Sequence, residues 1–305
     1  ILTYKDFFIS KKSEYVIISK EKLLVENVLR DATFNKNDNF KEFKRLHLSK
    51  TKNISLNTSE NYKNLKFNLK NENISNFSNW IQYEFDLEND DINILGISHR
   101  DKGNREINII ERLDKSKSDI IKIIPNNFSS FKRMSFNKDI IQDNYNKFIN
   151  NQSVKEKRLD SIFNDVIEIG EIIINNEAIL IFKYDDFNLD ELLKKFDPLN
   201  KYREQIVYDG KDVNLSDFDV LNLKISNNYD FITNIGDCLV LSNNLDVIQN
   251  LILNYNNQSV IFNDENFNKF LESVPNKTTF FEIINNSKNE DYENFPFWFS
   301  NFELK

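Results

Sequence analysis

Two stretches of this chain match each other block by block and in the same order. Near the N-terminus, Asp6-Phe-Phe-Ile leads to Tyr15-Val-Ile-Ile-Ser19 and a helical run to Asp31. Phe34-Asn-Lys-Asn-Asp-Asn-Phe-Lys-Glu-Phe43 follows. Near the C-terminus, Asp230-Phe-Ile-Thr leads to Cys238-Leu-Val-Leu-Ser242 and a helical run to Tyr255. Phe262-Asn-Asp-Glu-Asn-Phe-Asn-Lys-Phe270 follows there. Asp6 and Asp230 stand 224 positions apart. A tryptophan block then comes after each stretch. The first is Phe77-Ser-Asn-Trp80 with Phe85-Asp-Leu87, and the second is Phe295-Pro-Phe-Trp298 with Phe302-Glu-Leu304. The two tryptophans are 218 positions apart and are the only two in the chain.

Five matched blocks in one order predict a supersecondary assembly used at least twice. A spacing of roughly 220 residues is domain-sized, far longer than a solenoid repeat of about 20–50 residues. The expected layout is the C-terminal part of one copy in 1–76, a nearly complete copy in 77–294, and the first strand of a further copy in 295–305. On this reading the chain is an excerpt of a longer repetitive protein.

The local patterns predict an α+β fold, with antiparallel sheets and helices packed on one face. Tyr4–Ser10 and Glu14–Ser19 read as a hairpin. Ser19 caps a helix carrying Leu23, Leu24, Val28 and Leu29. A short helix from Asn37 or Asp38 would carry Phe40 and Phe43. Trp80–Leu87 alternates with period two, Ile81, Tyr83, Phe85 and Leu87 on one face, and Ile92–Ser98 returns beside it. Phe128–Phe136 is an expected strand. Asp139–Asn150 is an expected helix with Ile140, Ile141, Tyr145 and Phe148 inward, and Lys155–Asn164 a second. Val166–Ile174 and Ala178–Tyr184 flank an Asn175-Asn176 turn. A helix over Leu189–Phe196, capped by Asn188, precedes strands at Gln205–Tyr208 and Val220–Ile225.

Composition narrows the function classes. With 40% hydrophobic residues and 27 Phe, the chain can bury a large aromatic-rich core. The net charge of −8, with both signs mixed along the chain, argues against a nucleic-acid surface, which needs clustered Lys and Arg. Short basic blocks such as Lys41–Arg45 and Lys155–Arg158 read as solvated helix faces. No apolar run reaches the roughly 18–20 residues that span a bilayer as a helix. The single cysteine, Cys238, excludes an internal disulfide and reads as a small buried hydrophobe.

No constellation with catalytic spacing stands out. The only histidines, His47 and His99, lie in unrelated contexts and read as surface residues. The five glycines stand singly, so no phosphate-cradling loop is present. Asp185, Asp186, Asp190 and Glu191 cluster after a strand at a helix start, where carboxylates favour the helix dipole. No catalytic, cofactor-binding or metal-ligating residue is assigned. Trp80, Tyr83, Phe297 and Trp298 are the candidate interface or module-packing residues. Asn-x-Ser/Thr sequons at Asn53, Asn73, Asn127 and Asn276 are expected by chance in an Asn-rich chain. Asp160-Ser161-Ile162 resembles a Bacteroidetes O-glycosylation triplet.

Three patterns carry a resemblance. Trp80-Ile-Gln-Tyr-Glu-Phe-Asp-Leu precedes Ile94-Leu-Gly-Ile-Ser; Ile169-Gly-Glu-Ile-Ile precedes Ala178-Ile-Leu-Ile-Phe; and Gly236-Asp-Cys-Leu-Val-Leu-Ser242 precedes Phe267-Asn-Lys-Phe and Pro275. With these the chain resembles an uncharacterised family of exported, lipoprotein-like Bacteroidetes proteins, a domain of unknown function. The resemblance implies an extracytoplasmic setting, periplasmic or outer-membrane-associated, and a larger parent protein.

The function expected is a non-enzymatic structural or interaction module, an accessory subunit of a cell-envelope complex. Its partners would be other envelope proteins, outer-membrane machinery among them, and no cofactor is expected. One alternative is a ligand- or glycan-binding module with Trp80 or Tyr83 as platforms. Another is a metal-dependent hydrolase using Asp185, Asp186, Asp209 and Asp212.

Overall fold

Two tight turns fold the N-terminal segment back on itself. In the computed structural model, β1 (Leu2–Tyr4) pairs with β2 (Phe7–Lys12), and β2 pairs with β3 (Tyr15–Ser19), all antiparallel. Lys5 and Ser13 take positive φ angles of 49° and 52°, as tight hairpin turns require. The expected strand from Tyr4 is thus broken at Lys5, and β2 begins at Phe7. α1 (Lys22–Leu29) follows, and the backbone N–H of Glu21 donates to Ser19 Oγ at 3.0 Å. Val25, not Leu23 or Leu24, is the buried residue of this helix. A second three-stranded sheet runs β4 (Asn53–Asn57), β5 (Trp80–Asp86), β6 (Asn93–Ser98), again antiparallel.

The structure describes residues 1–13, 15–30, 53–57, 80–86, 93–98, 106–150, 159–185, 189–211, 213, 215, 218–220, 223–226, 228–286 and 297–302. Of 53–57, 80–86 and 93–98 the backbone alone is described. The expected helix near Phe40, the two histidines and the copy boundary at 76/77 lie outside these residues. The chain divides into two units, Ile1–Gly103 and Asn104–Lys305.

The second unit is built on a nine-stranded antiparallel sheet. Its elements are β7 (Ser130–Ser135), α2 (Lys138–Asn150), β8 (Val166–Ile174), β9 (Glu177–Tyr184) and α3 (Leu189–Leu193). β10 (Pro198–Tyr202), β11 (Gln205–Asp209), β12 (Phe218–Val220), β13 (Leu223–Ile225), β14 (Phe231–Ile235) and β15 (Cys238–Ser242) follow. α4 (Leu245–Asn256), α5 (Glu265–Ser273), β16 (Phe280–Asn285) and β17 (Phe297–Phe302) complete it. The sheet order is β10-β11-β14-β15-β9-β8-β7-β16-β17, with β12-β13 a separate hairpin. The class is therefore α+β with antiparallel sheets predominating.

The central strands are buried on both faces, which explains their near-continuous apolar sequence. Ile179 and Ile181 of β9 face one side, Leu180 and Phe182 the other, and none is more than 2% exposed. On the first side, Phe131, Ile172, Ile181 and Val240 share a core cluster with Ile248 and Leu251 of α4 and Phe267 of α5. On the second, Phe163 lies 5.6 Å from Phe136 and 5.3 Å from Phe182, ring to ring. Each fully buried side chain of this size contributes about 1.5–3 kcal/mol. Asn244 caps α4 by accepting from Asp246 N at 3.0 Å, and Asp264 caps α5 by accepting from Phe267 N at 2.9 Å.

Several expected elements change shape. Val220–Ile225 is the β12-β13 hairpin rather than one strand. The described part of Lys155–Asn164 is a 3-10 turn, Ser161–Phe163. The buried face of α2 is Ile141, Asn144 and Ile149, with Ile140, Tyr145 and Phe148 only half-buried, and the Asn144 amide donates to the carbonyls of Ile109 at 3.0 Å and Glu111 at 2.6 Å. Phe297–Phe302 is a strand as expected, and it pairs along β16 at the end of the nine-stranded sheet.

The two hairpin–helix blocks have the same local geometry. Phe8 pairs with Ser19 as Phe231 pairs with Ser242, and Lys12 with Tyr15 as Ile235 with Cys238. Ser13 and Gly236 hold the same turn position with φ of 52° and 56°. Ser19 Oγ accepts from Glu21 N, and Ser242 Oγ accepts from Asn244 N at 3.2 Å. Helices start at Lys22 and Leu245, and Val25 and Ile248 are each fully buried. Each of these correspondences spans 223 positions, one fewer than the spacing from Asp6 to Asp230.

Candidate functional site

The most unusual chemistry of the second unit is a buried charge in the sheet. Arg133 of β7 is fully buried, and its strand partners are Gly170 on β8 and Phe281 on β16. A Cβ at Gly170 would stand 3.0 Å from both Ile120 Cδ1 and Phe131 Cε2, so glycine leaves these side chains their room. Arg133 Nε donates to Glu168 Oε1 at 2.9 Å, Nη1 to the Thr278 carbonyl at 2.7 Å, and Nη2 to the Lys117 carbonyl at 3.3 Å. Nη2 also donates to Ser116 Oγ. The guanidinium carbon lies 5.9 Å from the centre of the Phe281 ring.

Glu168 is equally committed. Its carboxylate accepts from Arg133, from Ser118 Oγ, and from Asp119 N at 2.9 Å. Ser116 and Thr278 bond each other's backbones at 3.1 and 3.2 Å. The network therefore ties the 116–119 segment, the β7-β8 ladder and the segment before β16 into one arrangement. A buried pair survives only when such additional bonds satisfy both ions. Its side chains are 0% and 3% exposed, so no solute reaches them. Its bonds reach only neighbouring protein groups. Lys132 and Glu171, directly paired on the same two strands, form a second bridge at 3.3 Å.

A partly exposed pair sits at the β14-β15 turn. Lys183 Nζ donates to Asp237 Oδ2 at 2.7 Å. Burial opposes charge on Lys183, but the bond and charge of Asp237 raise its pKa overall. The same bond holds the Asp237 carboxyl below the usual carboxylate range. The adjacent Cys238 is buried, and burial first of all pushes its thiol up to about 12. A thiol raised this far stays protonated at neutral pH.

The sequence candidates fall in different places. Phe297 packs against Phe267 and Phe270, with ring centres at 5.1 and 5.3 Å. Trp298 is half-buried and pairs with Ile284. Trp80 pairs with Asn57, and Tyr83 with Ile54 and Gly96, through backbone. Asp185 is exposed, with its N–H bonded to the Asp165 carbonyl. Asp190 and Glu191 lie in the first turn of α3. Asp209 accepts from Lys211 N at 3.0 Å. Asp186 and Asp212 lie outside the described residues. Among the described residues no three of His, Cys, Asp and Glu are grouped to hold a metal ion.

Arg133 and Glu168 were not singled out in the sequence, although a signal existed. Phe131-Lys-Arg-Met and Val166-Ile-Glu-Ile-Gly-Glu each place two like charges inside an apolar strand, and the two sets are of opposite sign. The chain matches no protein-family model, no curated protein and no solved structure.

Proposed function

We propose that this chain is a structural and interaction module of a larger cell-envelope protein, assembled from copies of one sheet-and-helix unit and carrying no catalytic centre of its own. One observation carries the reading. The hairpin–helix blocks at Phe8–Leu29 and Phe231–Ile252 share turn length, strand register, serine contact, helix start and buried helix position at a constant spacing of 223.

The strands that follow support it. β4 pairs with β5 so that Asn57 meets Trp80, and β16 pairs with β17 so that Ile284 meets Trp298. In this reading the tryptophan strand closes a copy rather than opening the next. Phe297 then serves packing within its module, while Trp298 stands on the opposite face of the strand. The charged groups also favour structure over chemistry, since Arg133 and Glu168 are spent on each other and on the backbone. Among the described residues no helix is long and apolar enough to cross a membrane.

The envelope setting rests on the family resemblance of the Trp80, Ile169 and Gly236 patterns. Affinity recovery of the tagged protein from native membranes tests it. The expected result is co-purification with envelope proteins. Recovery of the protein alone, from soluble cytoplasm, contradicts it.

A further inference from the structure

We infer that the edge of β3 that no described strand covers, with the exposed apolar side chains beside it, takes an antiparallel β-hairpin of the Val166–Tyr184 kind, supplied by a further copy of this module. The inference rests on reading the two hairpin–helix blocks as copies. In the second unit, β15 has neighbours on both edges. β14 lies on one side, and β9 on the other, from Cys238 opposite Lys183 to Ser242 opposite Ile179. In the first unit β3 is the last strand of the order β1-β2-β3, so among the described residues no strand covers the edge that β9 covers in β15.

Side-chain exposure follows the same division. Val16 and Ile18 are 64% and 60% exposed, whereas Leu239 and Leu241, their counterparts, are fully buried. Leu24 is 52% exposed, whereas its counterpart Val247 is 6% exposed and shares the core cluster with Ile179 and Ile181. An apolar strand edge left in water is a template for another strand.

Polar groups specify the occupant. Ser242 Oγ donates to the Ala178 carbonyl of β9 at 3.4 Å, and Ser19 retains that hydroxyl. Lys183 of β9 bonds Asp237 in the β14-β15 turn, and the sequence has an acid, Glu14, 223 positions before Asp237. The incoming strand therefore resembles β9: apolar on both faces with a lysine near its C-terminal end. The sheet orders add a further match. β1-β2-β3 is ordered like β11-β14-β15 and β4-β5 like β16-β17, and in the nine-stranded sheet β9, β8 and β7 lie between those two sets.

The test fuses a second Val166–Tyr184 hairpin ahead of Ile1 in the full chain, through a flexible Gly/Ser linker, and follows amide exchange. We expect exchange within Tyr15–Ser19 to slow by about tenfold or more. A scrambled hairpin should give no protection. The V16K/I18K variant, altered at two exposed positions and checked by circular dichroism to be folded, should lose the protection. Unchanged exchange overturns the inference, as does equal protection by the scrambled segment. Faster exchange at Cys238–Ser242, marking displacement of the resident β9, overturns it too. If the hairpin binds as expected but the protein is recovered alone from cytoplasm, the envelope reading falls and this one stands.

Discussion

At the residue scale, Arg133 concentrates the energetic risk of the fold. Removing one partner of a buried pair leaves the other charge uncompensated, at a cost of about 3–5 kcal/mol, whereas replacing both with apolar groups is often near neutral. We therefore expect Arg133→Met alone to destabilise by about that amount in urea unfolding, and Arg133→Met with Glu168→Leu to recover most of it. Cys238 makes a pH prediction. Its folded thiol is raised from 9.0 to about 12, foremost by burial. Stability from this group is complete below pH 9.0 and falls as pH rises towards about 12, because the unfolded chain then loses a proton the folded chain keeps. The slope is at most about 1.4 kcal/mol per pH unit. Cys238→Ala should flatten the alkaline limb of stability against pH, whatever its effect at neutral pH. The buried role of Cys238 was legible from its apolar neighbours. The Arg133–Glu168 pair was not, because its partners at Ser116 and Thr278 are distant in sequence and meet only in the fold.

At the element scale, strands with strong pattern and recognisable turns were readable and short ones were not. β8 and β9 follow from their apolar runs about Asn175-Asn176, which take φ of 53° and 67° as a type I′ turn demands. Left-handed backbone costs a residue with a Cβ about 1–2 kcal/mol unless it is Gly, Asn or Asp. Replacing both asparagines by alanine should lower stability by about 2 kcal/mol, while Asn176→Gly should hold or raise it, in thermal or urea unfolding. β10 starts at a proline, and β12 and β13 are three residues each, too short for alternation to register. In α1 the expected apolar positions Leu23 and Leu24 passed over Val25, because three consecutive apolar residues do not mark one helix face. Packing chose Val25, which puts Leu23 and Leu24 outward.

At the scale of the whole molecule, the α+β class was legible because alternating strands and capped amphipathic helices each carry a local period. The sheet order was not, since β15 beside β9 and β7 beside β16 join segments far apart in sequence. Asp6 and Asp230 lie 224 positions apart, whereas the paired residues of the two hairpins, Phe8–Ser19 and Phe231–Ser242, lie 223 apart. That single residue matters, since a slip of one turns every side chain of a strand to the opposite face. The most direct measurement is a graft of Phe8–Arg30 in place of Phe231–Leu253 in the full chain, followed by cooperative unfolding and amide exchange. At the 223 spacing Leu24, Val25, Val28 and Leu29 take the places of Val247, Ile248, Leu251 and Ile252, apolar for apolar. The account predicts that this graft unfolds cooperatively with the grafted strand protected, and that a graft of Phe7–Leu29, shifted by one residue, does not. Loss of cooperative unfolding in the first graft, or equal behaviour of the two, would contradict it.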